Sequence, residues 1–419
     1  MNPYLNTFYY KDVGKRFFLA LIAYTLVLAA CARDSKPDAI TAATARKGQT
    51  ARSLLKNIMP DAAEDGVVKI AVLVNLAEGD NSRQFIEGCV SEGRSLDFTV
   101  DSFVSGADEK NCRKIAEGIA SADYDGLIFA YGGAYGGAHG GVDFSYDILN
   151  PVAVKGIPIV TFEALPYRDG KPIKGLITTF QDDYSLARLS IETLLSLTDS
   201  LDKKARIIRV GSEPGITSMD RRALVFEEFV KNGKIEETAL VKPDNTDNPH
   251  GMAWKALAEI LPRFPPGTVD GLWVPWDEFA GGCTEALVSA GRTDIKLTSV
   301  GISNEDIHRM LRRPDIWLAS SAVDPKLAGT VNMRILAARL AGEAVAETFS
   351  FNPRIVKTAD LNIGVNLGNI SVILPGWGND EGLFDNYKWM IDLKAAGEKY
   401  LRIPPSPQAQ VTGRHRVTP

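Results

Sequence analysis

Side chains that bind metals or act as nucleophiles are scarce in this chain of 419 residues, which has four cysteines and four histidines. His139, His250, His308 and His415 are scattered, and no Cys/His grouping has zinc-ligand spacing. No metal site and no cofactor is therefore expected. No G-K-[ST] follows a glycine-rich stretch, which excludes a phosphate-cradling P-loop. There is no G-x-S-x-G, and Asp182 and Asp183 are adjacent on what reads as a helix, so their side chains point apart and make no acid/base dyad. Enzymatic activity is not expected. Lys and Arg number 47 against 52 Asp and Glu, a net charge of −5, and no basic run is interleaved with aromatics. Nucleic acid is therefore not an expected partner. The apolar run at 17–30 stops short of the roughly 20 residues that a membrane span needs.

What is present is apolar mass, 45% of residues, enough for two cores rather than one. From residue 67 strands and helices alternate. VVKIAVLV (67–74) is a continuous apolar run, the mark of a strand covered on both faces. A helix with Phe85, Ile86, Cys89 and Val90 on one side follows. Then come a strand at 97–104, a helix at 108–121, and strands at 125–131 and 156–163. The pattern restarts with a helix at 183–199, a strand at 205–212 and a helix at 220–232, and continues to KLTSVGIS at 296–303. Such alternation predicts parallel βαβ units.

Asp125-Gly126-Leu127 opens a run that ends in Tyr131, and Asp270-Gly271-Leu272 opens one that ends in Trp276. Each aromatic follows its aspartate at the same spacing, which predicts two similar lobes with equivalent aromatics. Cys89 and Cys112 fall on the first and second helices. Right-handed crossovers put those helices on opposite faces of a doubly wound sheet, so a bridge between the two cysteines is not expected. Tyr131 also leads into A-(Y/H)-G-G repeated three times over 130–141. Glycine lets backbone turn sharply and come close to a ligand. The repeat reads as a flap on the ligand side or, more plainly, as a surface insertion.

Two resemblances add to this. Lys11, Lys15 and Arg16, the apolar run at 17–30 and LAAC at 28–31 resemble a bacterial lipoprotein signal. That implies removal of 1–30, a lipid on Cys31, a tether over 31–66, and a periplasmic protein anchored to a membrane; the alternative is a short anchor helix with a buried cysteine. The order KIAVLV, GIPIVTFE, FQDDYSLARLSIETLL, RIIRVGSEPGITSMDRRALVFEEF, VPWDEFAGG and SVGIS resembles the type I periplasmic binding proteins, in particular the ribose/galactose/autoinducer-type sugar binders. The resemblance covers roughly 67–350. It implies an α/β fold of two doubly wound, Rossmann-like lobes with parallel sheets, joined by a multi-strand hinge. Lobe one is expected over 67–180 with 325–352, lobe two over 181–324 with about 353–375, and a C-terminal extension over 376–419. The chain is expected to cross between lobes near 178–182, 323–325 and 352–375.

Matched residue by residue, the resemblance implies ligand contacts at Asp80, Asn81, Glu163, Asp182, Arg222, Ser303 and Asp324, with Trp276 where the family has an Asn. Tyr131 joins them as the counterpart of Trp276, the two rings flanking the ligand's apolar face. Ala164 stands where the family has Arg, and a family Gln near 322–324 is missing, so no particular sugar carries over. Each residue has a plainer reading: Glu163 and Asp182 as hinge or helix-capping carboxylates, Arg222 as a solvated helix residue, Trp276 as packing under a loop. The function implied is capture of a small polar solute, a sugar or polyol, by a monomer that delivers it to an ABC permease. The alternatives are a ligand-sensing subunit for a histidine kinase or chemoreceptor, and a binder of an amine-bearing or other non-sugar solute.

Overall fold

The computed structural model describes residues 52–75, 79–131, 141–200, 203–212, 217–243, 248–378 and 383–398. The chain divides into two units, Met1–Arg52 and Ser53–Pro419; every element named here lies in the second. The signal at 1–30, the lipidation candidate Cys31, and residues 132–140 of the glycine-rich repeat lie outside the described residues.

The first strand explains the first sheet. β1 (Lys69–Asn75) is buried from Ile70 onward. Ile70, Val72 and Val74 face one core while Ala71 and Leu73 face another, as a period of two demands. The sheet runs β13-β7-β4-β3-β1-β2, where β2 is Thr99–Val104, β3 Gly126–Tyr131, β4 Ile159–Phe162, β7 Ile177–Gln181 and β13 Thr348–Phe351. All its pairs are parallel. A two-stranded ribbon, β5 (Tyr167–Arg168) with β6 (Lys171–Pro172), precedes β7. Helices α1 (Asp80–Ser95) and α9 (Pro325–Leu340) cover one face; α2 (Glu109–Ser121) and α3 (Gly141–Ala153) cover the other.

The second sheet repeats the plan. It runs β14-β12-β11-β10-β8-β9: β8 is Ala205–Val210, β9 Ile235–Val241, β10 Gly271–Val274, β11 Lys296–Val300, β12 Trp317–Ala322 and β14 Arg354–Lys357. Only β14 is antiparallel to its neighbour. α4 (Asp183–Leu197) and α5 (Thr217–Lys231) pack on one face; α6 (Pro249–Ile260), α7 (Asp277–Ser289) and α8 (Asn304–Arg312) pack on the other. The chain leaves the first sheet after β7, returns after β12, and leaves again between β13 and β14. This is the two-lobed type I periplasmic binding protein fold.

Three segments differ from expectation. The tether expected through residue 66 is already part of the folded body: Leu55, Met59 and Ala63 are buried in a lobe-one core. The stretch after 376 returns to lobe one, where α10 (Lys388–Glu398) buries Met390 and Leu393. There Glu92 receives Arg334 Nε at 2.8 Å and Lys394 Nζ at 2.7 Å. Finally, α3 and α8 fall in stretches that the sequence did not mark as helices. Cys89 and Cys112 are free thiols buried in cores on opposite faces of the first sheet.

Candidate functional site

Strands of a doubly wound sheet end at a crevice outside their carboxyl ends. Here both sheets open onto one shared cavity of about 430 Å³, within the usual size range for small-molecule sites. Lobe one lines it with Asp80, Asn81, Ser82 and Phe85 from α1, Tyr131 at the end of β3, Phe162 at the end of β4 with Glu163 just after it, and Gln181 at the end of β7. Lobe two adds Ser218, Met219 and Arg222 from α5, Trp276–Glu278 after β10, and Val300 at the end of β11 with the three residues that follow it. Ala322, Val323 and Pro325 line it at a crossing between the lobes.

Seven of the nine residues proposed from sequence therefore line one cavity: Asp80, Asn81, Tyr131, Glu163, Arg222, Trp276 and Ser303. Asp182 and Asp324 are not among its lining residues, and both cap helices. Asp182 accepts from Ser185 N at 3.0 Å and Ser185 Oγ at 2.6 Å at the start of α4. Asp324 accepts from Lys326 N at 2.9 Å at the start of α9, with burial pushing its carboxyl above the usual range. An acid just before a helix meets unsatisfied N–H groups, and capping is its default use.

The neighbour of Asp182 holds the arginines of α5. Asp183 is 2% exposed and receives Arg222 Nε at 2.8 Å and Arg221 Nε at 2.8 Å. Arg222 Nη1 also donates to Pro275 O at 2.6 Å. The Arg222 guanidinium is thus locked in the cavity wall, its charge offset in part by a carboxylate that it shares with Arg221.

Glu163 has a left-handed backbone, φ 60°, uncommon for a side chain of this size. Its Oε1 accepts from Gln181 N at 2.6 Å. Burial, and then the nearby charge of Asp183, push its carboxyl up to about 7 against the opposing pull of that hydrogen bond and of Arg222. Lobe two has its own buried acid. Asp277, 6% exposed, is raised well above the carboxylate range by burial and by the charge of Asp306. It sits where a Cβ on Gly301 (φ 90°) would come within 2.7 Å of Oδ1, so residue 301 must be glycine. Asp306 in turn accepts from Ser303 N at 2.8 Å and Ser303 Oγ at 2.6 Å.

The apolar wall is larger than the sequence suggested. Phe85 stacks on Phe162, centroids 5.2 Å apart at 21°. Trp276 is half-buried and packs edge-on to Phe279 at 4.9 Å. Tyr131 is 4% exposed, with Phe129 at 6.2 Å and Phe144 at 5.7 Å, so most of its ring belongs to the core. Sequence reasoning missed Phe85, Phe162, Gln181, Met219, Asp277 and Glu278. Phe162 precedes Glu163 at a strand end and Asp277 follows Trp276, and adjacency was the available signal. Among the described residues no group of three His, Cys, Asp or Glu could hold a metal ion, and no helix is long and apolar enough to cross a membrane.

Comparison with known proteins agrees with this geometry. The periplasmic binding protein domain matches residues 70–344. A solved structure titled as a sugar ABC transporter from Yersinia enterocolitica is 33% identical, with a TM-score of 0.65, over 80% of this chain and 98% of that one. A 5-methylthioribose transporter solute-binding protein from Thermotoga lettingae is 24% identical, with a TM-score of 0.63, over 79% and 97%. A solute-binding protein from Agrobacterium vitis with bound allitol is 17% identical, with a TM-score of 0.57, over 70% and 95%. No curated protein matches the chain. Two parallel-sheet lobes meeting at one lined cavity, a domain match over most of the folded body, and a relative at 33% identity place the chain in the periplasmic binding protein family.

Proposed function

We propose that this protein captures a neutral sugar or polyol in the interlobe cavity and delivers it, outside the cytoplasm, to an ABC permease. The observation that carries this reading is the make-up of the cavity wall. Trp276 and Phe162 offer ring surface for a C–H face, while Glu163, Asp277 and Arg222 offer hydrogen-bonding groups for hydroxyls. Arg222 is the one cation among the described lining residues, and Asp183, shared with Arg221, offsets it in part. Lining carboxyls disfavour an anionic solute. The 33% identical relative is a sugar ABC transporter protein, which supports the same class. The test is a thermal-shift screen of sugars, polyols, amines and organic acids, followed by titration calorimetry. A solute at 100 times its dissociation constant stabilises the fold by about 2.7 kcal/mol. Neutral sugars or polyols should give the largest shifts; an amine or an acid as the best ligand would overturn the assignment.

The lipid on Cys31 is part of the same proposal, supported by LAAC after a basic and apolar leader. Cys31→Ala should leave an unprocessed precursor or release the protein into the soluble periplasmic fraction. Unchanged processing and membrane attachment would remove the anchor from the proposal.

A further inference from the structure

The carboxyls that line the cavity are held in different ways. Asp80 accepts from Arg83 and, from the other lobe, from Asn304 N at 3.1 Å. Glu163 accepts from Gln181 N at 2.6 Å. Glu278 is exposed to water. Asp277 is 6% exposed, and no other described residue donates to it; its polar contacts are its own backbone N–H and the carboxyl of Asp306. It packs over Gly301, where a Cβ would come within 2.7 Å of Oδ1 and 3.1 Å of Oδ2.

Asp306 is 3% exposed and well supplied with donors. Its Oδ2 accepts from Ser303 N at 2.8 Å and Ser303 Oγ at 2.6 Å, and its Oδ1 from Arg309 Nη1 at 3.2 Å. Two carboxylates in hydrogen-bond contact cannot both be charged, so the pair holds one proton. Burial raises the Asp306 carboxyl too, but Ser303 and Arg309 pull against it, and donors of this kind stabilise the charged form. The start of α7 favours charge on Asp277, and three direct donors on Asp306 outweigh it. Other charges surround the pair. Glu278 on α7 adds a negative one. Arg309 also pairs with Glu305 on α8 and meets His250 of α6 over Gly281. Arg222 is tied to Pro275 O and Asp183, and Glu163 stands on the other lobe.

We propose that Asp277 meets the solute as an uncharged carboxylic acid, donating its proton to Asp306 and turning its carbonyl oxygen to the cavity. The lobe-two wall then offers a hydrogen-bond acceptor without a negative charge, which suits a hydroxyl better than an ammonium group. That consequence rests on the sugar-or-polyol reading; the placement of the proton does not.

The proton is read on ligand-free protein. In a carbon-13 NMR titration of aspartate side chains, assigned with Asp277→Asn, the Asp277 carboxyl should keep its protonated shift at pH 7. Infrared difference spectra of wild type against Asp277→Asn at pH 7 should show a protonated-carboxyl stretch in wild type alone. Asp306→Asn should bring the Asp277 titration to lower pH, because the shared charge is gone. An Asp277 that ionises in the ordinary carboxylate range overturns the proposal, and so does a titration that Asp306→Asn leaves unmoved. If Asp306→Asn misfolds by circular dichroism, the wild-type titration decides. The solute side uses the neutral sugar or polyol with the largest shift in the thermal screen. Asp277→Ala should weaken its binding about 2- to 10-fold, the scale of one hydrogen bond between neutral groups. Asp277→Asn should recover most of that loss, because an amide donates to Asp306 and accepts from a hydroxyl. An Asn variant that binds no better than the Ala variant, or an Ala variant that binds like wild type, overturns the contact. If the best solute in the screen is an amine or an acid, the sugar reading falls and the titration still decides the proton.

Discussion

Lobe one and lobe two begin their third strand with the same arrangement, an aspartate followed by a glycine. Asp125 Oδ2 accepts from Lys69 N at 2.7 Å, and Asp125 N donates to Lys69 O at 2.8 Å. Asp270 Oδ2 accepts from Arg206 N at 2.8 Å, and Asp270 N donates to Arg206 O at 2.8 Å. A Cβ on Gly126 would come within 2.9 Å of Leu336, and one on Gly271 within 3.0 Å of Leu194. The charges differ. Arg206 also turns its side chain onto Asp270, with Nε at 3.0 Å and Nη2 at 2.7 Å, and holds that carboxyl below its usual range. Lys69 turns instead to Asp101 at 3.7 Å and over the ring of Tyr124 at 4.4 Å, so burial leaves Asp125 raised. The backbone device repeats because the start of an inner strand needs its polar groups satisfied. The charge beside it depends on one side chain and is free to change.

The comparison is easiest to break where each lobe packs helix backbone against helix backbone. A Cβ on Gly329 would lie 2.0 Å from Phe85 O in lobe one, and a Cβ on Gly282 lies 2.0 Å from His250 O in lobe two. Gly329→Ala and Gly282→Ala should each lose about 3 kcal/mol, the upper part of the usual overpacking cost. Chemical denaturation measures this, and a loss confined to one lobe would show that the two packings are not equivalent.

The paired aromatics come next. Trp276→Ala should weaken solute binding by about 1–3 kcal/mol with little change in melting temperature. Tyr131→Ala should act mostly on stability, because its ring is shared with Phe129 and Phe144. Calorimetry and melting of both variants separate the roles; equal losses of affinity would restore a symmetric clamp.

The wall acids give a smaller effect with a definite sign. Glu163 is raised from 4.5 to about 7. Its contribution to stability is fully present below its unfolded pKa and is lost as pH rises through about 7. Melting temperature should therefore fall between pH 5 and pH 8, and Glu163→Gln should remove part of that fall. A profile in Glu163→Gln identical to wild type would mean that Glu163 ionises normally.

The strand-start pair gives the smallest. Arg206 is 38% exposed, and such pairs contribute at most about 1 kcal/mol. Arg206→Met should destabilise near neutral pH, and the difference should vanish as pH falls through the depressed pKa of Asp270. Lys69→Met should change stability less, as measured by denaturation at both pH values.

Much of the fold was legible because a strand covered on both faces must be apolar along its length, as KIAVLV is. The Asp-Gly-Leu repeat likewise marked equivalent strands, and the helix order separated Cys89 from Cys112. The polar residues of the site were harder. Asp80, Asp182, Asp183 and Asp324 all stand at or just before the start of a helix, and sequence offers no way to rank them. Asp183 holds the arginines because it faces the Arg222 side of α4 and α5, while Asp182 is spent on its own helix. Phe85 reads as a core residue in a helical pattern, and only its stack on Phe162 brings it to the cavity.

The sequence by itself determined the alternation of strands and helices in two lobes and the strand ends that carry the cavity, since apolar periodicity follows from local backbone geometry; its resemblance to a known family added Trp276 and Glu163. The tertiary structure decided which acids burial pushes up, which arginines share Asp183, and that Asp80 spans the lobes. Those depend on burial and on partners as many as 224 residues away, and neither is encoded in any local window of the chain.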